Sequence, residues 1–340
     1  MRPTWTIEGI EIPAIAAALP STAIDNARIA ADSGDPDYVQ RISDVVGVRS
    51  RRVVDDGEFG SDLAARAARA VVEHLGWGPD DIDVLIVGTQ TPDRLFPGIA
   101  FSVQQALDLS KDCAVFDINL GCSAFVYGAW MMASTLPRPH GRGLLVTVDT
   151  MSRTLDAGDV GNRVLFGDGA AAAAFETTPD GSVLNVALSS DGRGADFVCL
   201  PGTAMSTGLA PAEGFQLNGP AVLGLALRSV PKLIGELLET AGTTLSDVGL
   251  VVPHQANEFI LEKLRDRMKI PADRFVIAMD ETGNTSSASI PIALSDDRVR
   301  NAGHDRSATL MVGFGTGLSW GAILADLSRT ALLGFADPSD

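Results

Sequence analysis

The sequence predicts an α/β fold made of two halves that follow the same order of elements. A helical pattern followed by a continuous apolar strand occurs at 62–91 and recurs at 221–257. In each half a further helix comes next, and then a strand that turns into another helix, at 96–125 and at 257–289. Strands that are apolar at every position are typical of sheets covered by helices on both faces. We therefore expect layered βαβα halves with parallel or mixed sheets.

The first half contains one turn of particular interest. After the helix at 62–76 and the apolar strand at 82–91, a second helix is predicted at 96–109. The next strand ends near Asn119, and a helix of small residues begins near Ser123. Glycine between them allows a tight turn from strand to helix.

The second half repeats this order over residues 181–340, and the first half is assigned to residues 1–180. Its helices are predicted at 221–242 and 257–270, with a strand between them. The segment 274–289 is predicted to form a strand and a turn into a helix, in parallel with the first half. A GFGTGLSWG loop between apolar strands closes this half.

Composition excludes several classes of function. The 340 residues are 46% hydrophobic, which is enough for a large core, and their net charge of −17 disfavours binding to nucleic acid. Three cysteines without a CxxC pair argue against a disulfide framework or a zinc site. No apolar stretch is long enough for a membrane span, and no signal peptide is evident. We expect a cytoplasmic enzyme with no membrane contact, no metal and no resident cofactor.

Cys122 is the candidate nucleophile. The predicted turn places its thiol at the N-terminus of a helix, where free N–H groups and the helix dipole favour the thiolate. A thiolate is both a nucleophile and a leaving group, which suits acyl transfer between thioesters. Cys113 begins a predicted strand and Cys199 lies in an apolar run, and both are interpreted as structural.

The second half contains two further candidate residues, both polar. His254 follows a buried strand, a position where α/β folds collect functional groups. Asn284 lies in the turn that corresponds to the one holding Cys122. A duplicated fold would bring the two turns together near its centre. An N–H of the GFGTG loop, together with that of Cys122, could form an oxyanion hole.

These motifs, taken in order, resemble the β-ketoacyl-ACP synthase III family. The resemblance is carried by the GCSA turn, VPHQAN, GNTSSAS and the GFG loop followed by SWG, and it extends to FGDGA at 166–170 and GVRSRR at 47–52. It covers nearly the whole chain. It implies a thiolase fold with five αβαβα layers and a homodimer. It also implies acyl carrier protein (ACP) or acyl-CoA thioesters as partners.

The resemblance also implies roles for single residues. Cys122 would carry the acyl group, and His254 and Asn284 would donate hydrogen bonds to a malonyl thioester during decarboxylative Claisen condensation. The N–H groups of Cys122 and Gly315 would bind the oxyanion. Phe96 would reach across the dimer to close the partner's acyl pocket.

Several positions depart from the family pattern. Where the family contacts coenzyme A, this sequence has Arg41, Val45, Val160 and Phe259. We therefore expect an enzyme that takes its acyl group from ACP, or that serves a specialised pathway such as polyketide biosynthesis instead of ordinary fatty acid synthesis. Basic residues form the predicted docking surface for an acidic ACP: Arg51, Arg52, Lys263, Arg265 and Arg267.

Two other functions remain open at this point. In one, Cys122 passes an acyl group to a hydroxyl or amine of a natural product, with His254 as general base. In the other, the chain is a type III polyketide synthase-like enzyme, which also uses Cys, His and Asn. Asn284 favours condensation, because simple ester formation has no enolate to stabilise.

Overall fold

The described part of the chain, residues 4–201 and 214–336, forms fifteen strands and ten α-helices in the computed structural model. The strands are β1 (Thr4–Glu11), β2 (Ala14–Ala18), β3 (Ala23–Asp25), β4 (Ser50–Arg52), β5 (Val84–Gly88), β6 (Ala114–Ile118), β7 (Arg142–Thr150), β8 (Asp168–Thr177), β9 (Ser182–Ser190), β10 (Val198–Cys199), β11 (Gln216–Leu217), β12 (Leu250–Pro253), β13 (Thr309–Gly315), β14 (Ser319–Ala325) and β15 (Ala331–Phe335). The helices are α1 (Asn26–Ser33), α2 (Pro36–Val46), α3 (Gly60–Leu75), α4 (Ala100–Ala106), α5 (Ala124–Thr135), α6 (Val160–Leu165), α7 (Gly219–Thr240), α8 (Glu258–Met268), α9 (Ser289–Ser295) and α10 (Asp297–Arg300). Among these helices, none is both long and apolar enough to cross a lipid bilayer.

Eleven strands hydrogen-bond into one mixed sheet. The main order is β12-β13-β14-β9-β1-β8-β7-β5-β6, and β2 pairs with both β8 and β15. The pairs β5–β6, β5–β7, β12–β13 and β2–β15 are parallel, and the other pairs of this sheet are antiparallel. The first residues of β1 pair with β9 and its last residues pair with β8, so β1 links the halves. The predicted boundary at 180/181 falls in the turn between β8 and β9.

Helices separate the two halves of this sheet and cover their outer faces. Helices α5 and α9 each contact strands of both halves, and every residue of α9 is buried. Helices α3 and α4 pack against the first half, and α7 packs against the strands of the second half and against α8. A helix that is apolar on most of its surface has to be largely covered; α9 is buried throughout, and α5 is exposed only at Ser134 and Thr135. The α-β-α-β-α order matches the predicted layering.

The strand predicted at the start of 274–289 is not formed, and that prediction is wrong. Phe275 makes a single bridge to Val251. Beyond it, the Gln255 carboxamide occupies the positions that a neighbouring strand would fill. Its Nε2 donates to the Val276 carbonyl (3.3 Å) and its Oε1 accepts from the Ala278 N–H (2.8 Å). The segment is therefore held in place by a side chain instead of a β-ladder.

Candidate active site

A cavity of about 250 Å³ lies where the central turns of the two halves meet. Cys122, His254 and Asn284 all line it. Cys122 lies between β6 and α5, next to the N-cap residue Ser123 of that helix, while His254 directly follows β12. The structure therefore brings together the three residues that the sequence singled out.

Glycines on β13 let the turn at Cys122 pack closely against that strand. A Cβ added at Gly315 would lie 2.9 Å from the Cys122 Sγ, and one at Gly313 would lie 2.8 Å from the Ser123 Cα. The Ser123 and Ser319 hydroxyls hydrogen-bond at 2.6 Å and join the start of α5 to the start of β14. The sulfur is thus fixed against a backbone that has no room for a side chain.

Burial keeps the Cys122 thiol protonated in this cavity. Loss of solvation raises its pKa to about 11, and the negative charge of Asp149 adds to this effect. Hydrogen bonds from the Ser286 hydroxyl and from the N–H groups of Thr316 and Cys122 oppose the rise in pKa. The helix N-terminus was expected to favour the thiolate, but here desolvation outweighs it.

The reaction of Cys122 with iodoacetamide should therefore be slow at pH 7 and should rise with pH. Because the thiolate is the reactive form, the rate should increase about tenfold per pH unit up to about pH 10. Mass spectrometry of the peptide that contains Cys122 would measure the rate in a Cys199→Ala background, which removes the second thiol of the cavity. A rate that levels off below pH 8 would contradict this assignment of the pKa.

His254 is held as a neutral imidazole. Burial lowers its pKa to about 3, against the opposing effect of a hydrogen bond with the Ser286 backbone. Its Nδ1 lies 2.7 Å from the Ser289 hydroxyl, which accepts the Gln255 N–H at 3.3 Å. The hydroxyl can donate to Nδ1, which places the ring proton on Nε2, the nitrogen that is left to bond the Ser286 backbone. A ligand that accepts the Nε2–H would share or replace this bond with the Ser286 backbone.

Asn284 is held at both ends of its carboxamide. Its Nδ2 donates to the Ala256 carbonyl (3.1 Å), and its Oδ1 accepts the Ser286 N–H (2.9 Å). Its backbone N–H donates to the Leu165 carbonyl at 2.9 Å, so the turn is tied to the first half of the chain. One Nδ2 hydrogen points in a fixed direction to the Ala256 carbonyl, and the second remains for a ligand.

Ser286 contacts all three of these residues, and sequence reasoning missed it. Its hydroxyl bonds to the Cys122 sulfur, its backbone bonds to the His254 ring, and its N–H bonds to Asn284. It adopts a left-handed backbone with φ of 50°. A non-glycine residue in that conformation is a recurrent feature of functional turns. The only signal in the sequence was its place within GNTSSAS.

The backbone amides aimed at the sulfur differ in one residue from the prediction. They belong to Cys122 and Thr316, while Gly315 provides the close approach described above. The sequence predicted the N–H of Gly315, and the structure has the N–H of the next residue, Thr316, in this place. Two N–H groups directed at one point can bind an oxyanion.

Comparison with known proteins identifies the family. Models described as 3-oxoacyl-[acyl-carrier-protein (ACP)] synthase III and as the C-terminal part of that protein match residues 116–192 and 238–327. A β-ketoacyl-[acyl-carrier-protein] synthase III from Cereibacter sphaeroides is 39% identical over 286 residues, which cover 82% of this chain and 87% of the relative. The chain belongs to the β-ketoacyl-ACP synthase III family.

Solved structures of a 3-oxoacyl-ACP synthase and of a β-ketosynthase have the same thiolase fold. A 3-oxoacyl-(acyl-carrier protein) synthase from Burkholderia xenovorans superposes with a TM-score of 0.89 at 30% identity, covering 99% of this chain and 98% of the other. The priming β-ketosynthase of the R1128 polyketide pathway gives a TM-score of 0.82 at 27% identity, covering 94% and 97%. As a member of the synthase III family, the chain is an acyltransferase of the condensing-enzyme class.

One docking residue that the sequence predicted is corrected by the structure. The Arg51 side chain is 1% exposed. Its guanidinium donates to the carbonyls of Ile24 (2.9 Å) and Val164 (2.7 Å), so it fastens α6 to β3. A protein that docks on the surface cannot contact it. Arg52 is half-buried and donates to the Ser21 carbonyl at 2.9 Å.

The other predicted docking residues lie on α8. Lys263 and Arg267 are exposed, and the Lys263 ammonium lies 5.5 Å from the centre of the Phe259 ring. Arg265 is half-buried and pairs with Glu262 (3.7 Å) and Asp266 (3.3 Å), so nearby carboxylates already offset its charge. The exposed cations of α8 are therefore Lys263 and Arg267.

Phe96 does not line the cavity of its own chain. Its side chain is 77% exposed, next to Leu95, which is 58% exposed. Two adjacent apolar side chains exposed to this degree are typical of a surface that is covered by a partner.

Proposed function

We propose that this chain condenses an acyl group carried on Cys122 with a malonyl thioester and releases carbon dioxide. The observation that carries the proposal is the placement of two hydrogen-bond donors, a neutral imidazole and a carboxamide, in the same cavity as the thiol. Donors of this kind stabilise an enolate as its charge develops, and so they accelerate the step that forms it.

The first half-reaction loads the acyl group. The Cys122 sulfur attacks the carbonyl of the donor thioester, the carrier thiolate leaves, and it takes up the proton that Cys122 loses. The negative oxygen of the tetrahedral intermediate would lie against the N–H groups of Cys122 and Thr316. Because the free thiol is neutral, deprotonation has to accompany binding or attack.

The second half-reaction forms the carbon–carbon bond. The malonyl thioester places its carbonyl oxygen against the His254 Nε2–H and the Asn284 Nδ2. Cleavage of its carbon–carboxylate bond yields carbon dioxide and an enolate. The enolate carbon attacks the acyl carbonyl on Cys122, and the thiolate of Cys122 leaves as the β-ketoacyl product forms.

The electrostatics of His254 argue against the alternative of acyl transfer to a hydroxyl or amine. A general base is most effective when its pKa lies near the working pH. The pKa of His254 is lowered to about 3, which makes the ring a poor base and leaves it as a donor through Nε2. Condensation uses this protonation state directly.

A homodimer and an ACP partner complete the proposal. The exposed Leu95 and Phe96 pair would lie in the dimer interface, where Phe96 would reach the partner's acyl pocket. An acidic ACP would dock near Lys263 and Arg267 on α8, since the N-cap residue of that helix, Asn257, lines the cavity. The pathway would be fatty acid or polyketide biosynthesis, and the cytoplasmic location remains a prediction.

Malonyl-ACP labelled with ¹³C at the free carboxylate tests the proposal. With an acyl-ACP donor, we expect one labelled carbon dioxide for each β-ketoacyl-ACP, both measured by mass spectrometry. The same assay with the acyl-CoA donor should give a lower rate, because the usual coenzyme A contacts are replaced. Hydrolysis or transfer of the acyl group without release of labelled carbon dioxide would contradict condensation.

A further inference from the structure

The cavity at Cys122 has two chemically different sides. One side is apolar and is lined by Leu165, Phe166, Phe215, Leu217, Val222 and Ile260. The other side is polar and lies just beyond the carboxyl ends of β5 and β6, where Gln90, Thr91 and Asn119 line it. Cys122 belongs to the same turn as Asn119, so the thiol stands beside the polar side.

The Gln90 carboxamide lies next to the turn that holds the thiol. Its Oε1 is 2.4 Å from the position that a Cβ on Gly121 would occupy, and the same position is 3.2 Å from the Ser286 hydroxyl. Its Nε2 donates to the Asn119 Oδ1 at 3.3 Å. Among the residues that the structure describes, none donates a hydrogen bond to the Gln90 Oε1. An acceptor is therefore left for a ligand.

The backbone beneath this group is fixed. The Gln90 N–H donates to the Asp149 carboxylate at 2.8 Å, and so does the Thr91 hydroxyl at 3.1 Å. The Thr91 oxygen also accepts the Thr150 N–H at 2.8 Å. Thr91 is thus occupied within the protein, which leaves Gln90 and Asn119 to face the ligand. The nearby Asp149 carboxylate would repel an anionic acyl group.

The direction from which the carrier arm would enter the cavity indicates that the acyl group lies on the polar side. Asn257 and Ile260 line the cavity at the start of α8, the helix that carries the exposed cations Lys263 and Arg267. A carrier docked there would send its arm along the apolar side to the thiol. An acyl group on Cys122 would then extend past the sulfur towards Gln90 and Asn119.

We propose that Gln90 makes this enzyme selective for short acyl thioesters that bear an uncharged hydroxyl group beyond the thioester carbonyl. The inference rests on the proposed function, since it concerns the group carried by Cys122. A hydroxyl donates to the Gln90 Oε1 and accepts from the Asn119 amide. An alkyl chain of the same length displaces water from these carboxamides and makes no hydrogen bond with them, so their polar atoms are left unpaired at a cost in free energy.

Competition between 3-hydroxybutyryl-ACP and butyryl-ACP tests the proposal, because the two acyl groups differ by one oxygen. The adduct on Cys122 is measured by intact-protein mass spectrometry at early times. We expect the wild-type protein to prefer the hydroxyacyl group by about tenfold. Gln90→Leu, which has a similar volume without polar atoms, should reverse or abolish the preference. Gln40→Leu, a change at an exposed glutamine on α2, should leave it as it is.

The outcomes separate this inference from the proposed function. Equal loading of both acyl groups, or a preference for butyryl, would overturn the role of Gln90 and leave condensation intact. A hydroxyacyl preference that persists in Gln90→Leu would also overturn it. If neither thioester loads Cys122, then the proposed function fails together with this inference.

Discussion

Cys122→Ala should abolish both acyl loading and condensation, with a rate loss of about 10⁴-fold or more. The alanine side chain has no nucleophile, while the backbone amides of residues 122 and 316 and the rest of the cavity remain in place. Intact-protein mass spectrometry after incubation with an acyl-ACP would show no added acyl mass. Product formation from malonyl-ACP would fall to background.

Cys199→Ala is the matched control for this prediction. Cys199 lines the same cavity, on the short strand β10, so it is the thiol most able to compete for the acyl donor. We expect Cys199→Ala to load and condense like the unmodified protein. An adduct that survives in Cys122→Ala and disappears in Cys199→Ala would reassign the nucleophile.

Asn284→Ala should slow condensation by about 10² to 10³-fold while the loading of Cys122 changes much less. The first effect follows from losing one of two donors to the enolate. The second follows because loading uses the amides of Cys122 and Thr316 instead. Single-turnover loading and the release of labelled carbon dioxide, measured separately, would resolve the two steps.

Asn284→Asp provides the companion variant. It keeps the acceptor for the Ser286 N–H but places an oxygen against the Ala256 carbonyl and removes the donor. Both variants should therefore lose condensation. Equal losses in loading and condensation would show that Asn284 only shapes the turn. Full condensation activity in these variants would contradict stabilisation of the enolate by Asn284.

The order of elements and the positions of the reacting groups were predictable because they depend on local pattern. A strand followed by a glycine turn indicated where Cys122 would lie, and the end of a continuous apolar strand indicated where His254 would lie. Duplication of that pattern then indicated that Asn284 would lie near them. The fold and the family were both confirmed.

The remaining details depend on contacts that only the folded chain defines. The sequence predicts Arg51 to be a surface cation, but its guanidinium is buried against carbonyls from distant segments of the chain. The strand at the start of 274–289 is absent because the side chain of Gln255 takes the place of a neighbouring strand. Ser286 is close in sequence to two other serines, and only its backbone conformation and its contacts in the folded chain distinguish it from them.

The pKa of Cys122 also could not be predicted from the sequence. Proximity to a helix N-terminus can be inferred from the sequence, and it favours the thiolate. The degree of desolvation and the buried carboxylate of Asp149 cannot be inferred, and together they raise the pKa to about 11. The balance between these effects is a property of the packed cavity.

A crystal structure of the protein with an acyl group on Cys122 would test the central claim most directly. We expect the carbonyl oxygen of the thioester to lie within hydrogen-bonding distance of the N–H groups of Cys122 and Thr316. We also expect the His254 Nε2 and the Asn284 Nδ2 to face the open space beside that carbonyl. An acyl carbonyl turned away from both amides, or an imidazole and carboxamide that face elsewhere, would contradict it.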